Sequence, residues 1–395
     1  MAETNTVRKD RDVNTADIAG LLSQRTRYRG TDIDGPTLAP EGLWVRGREL
    51  NTLIGSVPFE AAVWHLWFQR LPTPSELLAL SARMQELADC YLLSSRGPEV
   101  AAQMGRLGVD MVFATAAGLM CGVESSIERA NAEGSRAVSS DPDFDLLLAC
   151  LVASPYLMRA ALGLAFTNVE PAPSHARRLW SLARSTDNGA GPDRGIVAID
   201  ALLTAWHAGF GYITPTVLVP RCAIGTGVTL PQAVAAGLMA SGPKHVGAAL
   251  EAMNWLRGLP EDEAEIEAQV DAQFNSPGRL LFGFGHPLFV ADPRPPHLRA
   301  LLGAAGFEGR HLLQFDVVCR RAKAVKGLSP NIDFVTAAAL LDAGISDPQW
   351  GVGLALCARI VAMAAHAVER RARPAFGVNS SVARRLLAAV PVGWL

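Results

Sequence analysis

The sequence predicts a mostly α-helical fold in two lobes, with one small β-hairpin near its N-terminus. Three observations carry that expectation. Alanine and leucine dominate a chain that is 49% hydrophobic but only 7% aromatic, which suits packed helices better than a large sheet. Apolar residues recur at helical spacing in one segment after another, with Gly or Pro at most of the joins and no alternation of strands with helices. At 395 residues a single compact core is unusual, so two domains are expected.

The elements follow in order. Residues 1–30 read as a polar leader. From Thr31 to Leu50 the Gly and Pro density argues against a helix, and short apolar runs suit a β-hairpin. The segment SVPFEAAVWHLWFQRL turns helical, with Ser56 as its cap and Glu60 in the first turns. LPTPSELLALSARMQELA repeats the arrangement, Thr73 capping and Pro74 taking the first helical position. Further helical segments run over 143–166, 196–210, 230–241, 264–274, 297–306, 311–327 and 334–344, and the longest over 351–372. Helices this apolar bury both faces, against neighbours or in a subunit interface.

Composition also bounds function. The formal net charge is −2, without the basic excess of a general nucleic-acid binder. The cysteines, Cys90, Cys121, Cys150, Cys222, Cys319 and Cys357, are spread out and form no CxxC pair or Cys/His cluster. Free thiols, a reducing compartment and a cytoplasmic location are therefore expected, and no metal site. The N-terminal segment lacks the apolar core of a secretory signal. Apolar windows such as MVFATAAGLMCGV are too short for a membrane span and read as buried helices.

Three loops combine Gly or Pro with an ionisable residue: Ser241-Gly242-Pro243-Lys244-His245, Phe282-Gly283-Phe284-Gly285-His286-Pro287 followed by Asp292-Pro293-Arg294, and Pro330-Asn331-Ile332-Asp333. Glycine lets backbone approach a ligand, and helix starts offer free N–H groups. Each also has a plain structural explanation. Asp333 or Asn331 can cap the following helix, His245 can bond a backbone carbonyl, and a His before Pro such as His286 is usually structural. Arg359 lies in an otherwise apolar stretch, where an unpaired charge is costly, so a ligand or buried partner is favoured.

The order and spacing of these loops resemble the citrate synthases, and flanking sequence agrees. The segments IDG at 33–35, WVRG at 44–47 and PFEAAVWHLWFQRLPTPSEL at 58–77 are similar to the family's N-terminal region. ALCARIVAMAAHAVE at 355–369, followed by ARP, is similar to its last active-site helix and tail. The resemblance covers residues from about 30 to 380, weakly between about 85 and 195. It implies a large helical domain (31–247 and 338–395) and a small one (248–337) that closes to exclude water from the reaction.

The resemblance further implies an acyltransferase of tricarboxylic acid metabolism. It would condense oxaloacetate, or a related 2-oxo acid, with acetyl-CoA or another short acyl-CoA, and then hydrolyse the thioester. Proton removal next to a thioester needs a base and simultaneous stabilisation of charge on the carbonyl oxygen. By resemblance Asp333 is that base, His245 donates to the thioester oxygen, and His286 donates to the keto-acid carbonyl. Arg294, Arg359 and Arg373 would bind carboxylates bidentately, with Arg373 donated by the neighbouring subunit of a homodimer, and His207 would touch the keto acid from an earlier helix. No permanently bound cofactor is implied, the CoA thioester being a substrate. Lys244, if turned towards His245, would favour its neutral form.

Several positions depart from the family's pattern. After His245 the usual Asn and acidic residue are Ala249 and Leu250, and after His207 the usual Asn is lost in the run Ala208 to Thr214. Pro287-Leu288-Phe289-Val290 lacks the usual basic residue for CoA phosphates, leaving Arg25, Arg27, Arg29, Lys323 and Lys326 as candidates. These changes mark a divergent member. They keep open a lyase that cleaves citryl-CoA-type substrates with the same three residues, and a CoA- or carboxylate-binding protein without turnover.

Overall fold

The computed structural model describes residues 31–164, 172–184, 192–211, 214–276 and 280–371. The polar leader, its arginines and Arg373 lie outside the described residues. The expected hairpin is a three-stranded antiparallel sheet, β1 (Asp34–Leu38), β2 (Glu41–Val45) and β3 (Arg48–Glu49), with Asp34 paired to Val45. All else of regular structure among the described residues is helical. The first helices are α1 (Phe59–Phe68), α2 (Pro74–Ser94), α3 (Gly97–Arg106), α4 (Met111–Leu119), α5 (Val123–Ala132) and α6 (Pro142–Ala161). Next come α7 (His175–Ala183), α8 (Pro192–Trp206), α9 (Pro215–Ile224), α10 (Leu230–Met239) and the single turn α11 (Pro243–Val246). The last are α12 (Ala248–Arg257), α13 (Glu263–Asn275), α14 (Arg294–Ala304), α15 (Arg310–Lys326), α16 (Ile332–Asp342) and α17 (Gln349–Arg371).

Local chemistry sets these boundaries. Thr73 and Glu76 form a reciprocal capping box at α2, with Pro74 in the first turn. Ser56 does not cap α1. Its hydroxyl turns back to the carbonyls of Thr52 and Leu53, and α1 begins at Phe59 behind Pro58. The apolar run from Met111 breaks into α4 and α5 because Gly122 turns the chain at φ +135°.

Helix α17 is the axis of the core, packing on α6, α8, α9, α10 and α12. Helices α12 to α16 pack among themselves, α12 and α15 against α16 and α13 against α15. Two described helices, Pro142–Ala161 and Gln349–Arg371, are long and apolar enough to cross a membrane, contrary to the sequence-based expectation of short apolar windows only. Their most apolar stretches are 83% and 94% buried inside the protein, so the protein's own interior accounts for the apolarity. Each large aliphatic side chain so buried contributes roughly 1.5–3 kcal/mol.

Candidate active site

The site forms where the end of α8, the middle of α17, and the loops before α11, α14 and α16 converge. Sequence dictates each position locally. At α16, Asn331 is the N-cap, its side chain accepting from the Asp333 N–H at 3.0 Å. That leaves the Asp333 carboxylate uncommitted in the first turn. The same Asn331 donates its side-chain amide to the Gly285 carbonyl (2.8 Å) and its backbone N–H to the Gly283 carbonyl (2.8 Å). The second and third candidate loops are thus joined directly. Gly283 must be glycine: at φ +79° an added Cβ would stand 2.9 Å from the Phe334 nitrogen.

His286 is oriented by its own loop. Its Nδ1 accepts from the backbone N–H of Leu288 (3.1 Å) and Phe289 (3.2 Å), so in the neutral ring the proton is on Nε2. The ring stacks on Phe289 at 4.7 Å and lies 5.4 Å from Phe210. Burial, then the charge of Arg294, pushes its pKa down. Glu41, the first residue of β2, accepts from the N–H groups of Val290 and Ala291 and braces this loop.

His245 sits in the single turn α11 with its imidazole unbonded among the described residues, and Lys244's side chain lies outside them. His245 is exposed, yet partial desolvation of its ring and then the nearby Arg359 charge lower its pKa to about 4, so the ring is neutral near pH 7. His207 is fully buried and lies just past the end of α8 rather than on it. Its Nδ1 donates to the Thr204 carbonyl at 2.6 Å, and its Nε2 is buried without a partner. Burial dominates its pKa of about 4.

Asp34 holds the backbone after His207. Fully buried in β1, it accepts from the N–H of Gly209 (2.7 Å) and Gly211 (2.5 Å), with His366 Nε2 at 3.3 Å. Burial raises its pKa, but His366 and the two N–H groups outweigh that and lower it overall. Between those glycines Phe210 adopts φ +63°, a strained conformation for a bulky residue.

The two described arginines differ. Arg294 is 2% exposed and committed to Asp292, through Nε at 2.9 Å and Nη2 at 2.7 Å. Asp292 also accepts from the Ile332 N–H at 3.1 Å, tying Arg294 to the start of α16. Arg359, on α17, is 7% exposed and makes no hydrogen bond or ion pair among the described residues. Its guanidinium lies over the rings of Trp206 (5.7 Å) and Phe210 (6.0 Å). Burial, then the charge of Arg294, lowers its pKa to about 10. Arg359 is the electrostatic hub, felt by His207, His245 and Asp333. Burial raises Asp333 to about 6, with Arg294 the largest opposing influence.

A sequence profile of the citrate synthase C-terminal domain matches residues 20–376. The chain belongs to the citrate synthase family. Solved structures agree on the fold. The citrate synthase of Pyrobaculum aerophilum superposes with a TM-score of 0.68 at 20% identity, covering 87% of this chain and 88% of that one. A citrate synthase from Thermoplasma acidophilum, in a ternary complex with carboxymethyl coenzyme A and oxaloacetate, gives 0.68 at 18% identity over 91% and 94%. That of Thermotoga maritima gives 0.64 at 19% identity over 83% and 85%. No curated protein sequence matches the chain.

Within this citrate synthase fold, six of the seven residues singled out from the sequence gather around Arg294 and Arg359, each of the others feeling the charge of at least one of these two arginines, and Arg373 lies outside the described residues. Sequence reading missed Asp34 and Asp292 as groups that hold the site residues in place, and it named Asn331 only as a possible helix cap, a role it fills. The IDG and DPR segments containing the two aspartates were the available signal.

Proposed function

We propose that the protein is an acyltransferase joining the α-carbon of acetyl-CoA or another short acyl-CoA to the keto carbon of oxaloacetate or a related 2-oxo acid. The observation that carries this reading is the Asp333 carboxylate: it is relieved of capping by Asn331, raised to about 6 by burial, and acted on by Arg359 and Arg294, whose charges also lower the pKa of His245 and His286 respectively. A raised carboxylate is a stronger base, ionised near pH 7 yet closer to the acidity of the carbon it must deprotonate.

In the proposed sequence, Asp333 removes the α-proton while His245 donates to the thioester oxygen, giving an enol. The enol carbon attacks the keto carbon, and His286 Nε2–H supplies the proton to the oxygen that becomes the alcohol. Water then attacks the thioester, the C–S bond breaks, and sulfur leaves as the CoA thiol. Arg359, buried and without an ionic partner, would take a substrate carboxylate. A cavity of about 590 Å³ beside Ser329 and Pro330, lined also by Lys323, has the size to receive part of the CoA arm. Closure of residues 248–337 over the rest, and a homodimer in which Arg373 reaches the neighbouring site, complete the reading.

A thiol-release assay tests it, pairing acetyl-CoA and propionyl-CoA with a set of 2-oxo acids and using Asp333→Ala as control. CoA release that requires the acid and disappears in the variant is expected. Silence with every pair, together with cleavage of citryl-CoA, would replace this reading with the lyase.

A further inference from the structure

The loop that carries His286 leaves four consecutive backbone N–H groups outside any helix or strand, from Leu288 to Ala291. Pro287, directly after the histidine, has no N–H to offer. Such groups need partners, and these four divide evenly. Leu288 and Phe289 donate to His286 Nδ1, at 3.1 and 3.2 Å. Val290 and Ala291 donate one each to the two carboxylate oxygens of Glu41, which lies 249 positions before Val290.

The Val290 side chain is 90% exposed, so packing does not hold it, and the Glu41 carboxylate fixes the backbone there. The two pairs of bonds are mechanically joined, because the peptide that serves Glu41 follows directly on the one that serves the imidazole. The N-terminal chain also holds the far end of the loop: Asn51 donates its side-chain amide to the Pro293 carbonyl at 3.1 Å. Glu41 is near enough to the ring for its charge to oppose burial and Arg294, which lower the His286 pKa. Two N–H groups aimed at Nδ1 exclude a proton from that nitrogen, since a third donor would face them with no acceptor between. The proton of the neutral ring is confined to Nε2.

We infer that Glu41 is a positioning residue for His286. By taking the Val290 and Ala291 N–H groups it sets the loop so that the Leu288 and Phe289 N–H groups meet Nδ1, and it thereby keeps the ring an Nε2–H donor. The functional consequence rests on the condensation proposed above, in which Nε2–H serves the keto-acid oxygen. The other tautomer would turn a bare nitrogen lone pair towards that oxygen and repel it. Without the carboxylate, Val290 and Ala291 turn to water, the loop relaxes, and the Nδ1–H tautomer becomes accessible.

The test compares the wild type with Glu41→Met, which keeps the length of the side chain and removes both oxygens, and with Glu41→Gln, which keeps one. Two-bond proton–nitrogen NMR spectra of protein labelled in its histidine rings read the tautomer without substrate. They are recorded at about pH 8, where the rings are neutral, and the His286 signals are those lost in His286→Asn. The wild type should show Nε2–H alone, Glu41→Met a substantial share of Nδ1–H, and Glu41→Gln a smaller one. For CoA release, kcat/KM should fall about 10- to 100-fold in Glu41→Met and by less than about tenfold in Glu41→Gln. An Nδ1–H ring in the wild type, or a Glu41→Met ring that stays wholly Nε2–H, overturns the inference whatever the rates do. If no acid releases CoA from the wild type, the condensation fails, and the same spectra still decide on Glu41.

Discussion

Replacing Asp333 with Asn should inactivate the protein and stabilise it at the same time. As general base the carboxylate contributes about 10²- to 10⁴-fold to the rate. Its folded-state pKa of about 6 stands above the ordinary 3.8, chiefly through burial. The native state therefore holds the proton more tightly than the unfolded chain does, and ionisation works against folding. That penalty is absent below about 3.8, grows between 3.8 and 6, and is fully present above 6. Asparagine carries no such penalty. A shift of this size corresponds to about 1–3 kcal/mol after allowing for the partial exposure of the carboxylate. Thermal melts of wild type and Asp333→Asn should thus diverge at pH 7.5, with the variant higher, and draw together as pH falls towards 4. The same ionisation leaves about a tenth of Asp333 active at pH 5 and about nine-tenths at pH 7, an approximately tenfold fall in kcat/KM. Carboxyl carbon NMR, by difference against the variant, reads the titration without substrate. An Asp333 titrating near 4, or a variant that melts lower than wild type at pH 7.5, would refute the reasoning.

Other perturbations have defined outcomes. Arg359→Gln removes a charge that lowers the pKa of both Asp333 and His245. The acid limb of the pH profile should move up, and KM for the 2-oxo acid should rise about 100-fold or more, both read by steady-state kinetics across pH. Gly283→Ala forces a Cβ onto the Phe334 backbone at a positive φ. It should cost roughly 2 kcal/mol or more in stability by denaturant titration, and lower kcat by disturbing the hydrogen-bonded junction of the two loops.

Much of this arrangement was legible in the sequence. Helical periodicity and the Thr73–Pro74 signature placed α2 correctly because both depend on local backbone chemistry. The ambiguity at Asn331 and Asp333 was different. Either can cap a helix, and the choice depends on long-range bonds from Asn331 to Gly283 and Gly285, which no local pattern encodes. The same is true of Asp34, whose partners Gly209 and Gly211 lie some 175 positions away. His207 was expected on a helix because apolar spacing runs on through Phe210. The helix stops at Trp206, where Asp34 captures the N–H groups of the next turn. The pairing of Arg294 with Asp292 appears only once both side chains are buried together, and it leaves the Arg294 Nη1 without a partner.

Solvent exchange of the acyl α-proton tests the central claim most directly, because it reads the base without requiring bond formation or thioester hydrolysis. The probe is an acetyl-CoA analogue with CH₂ in place of sulfur, incubated in D₂O with a 2-oxo acid, and deuterium entering the methyl group is followed by NMR. The account predicts exchange by the wild type, stimulated by the acid and abolished in Asp333→Asn. No exchange with any acid, or exchange that persists undiminished in Asp333→Asn, would contradict it.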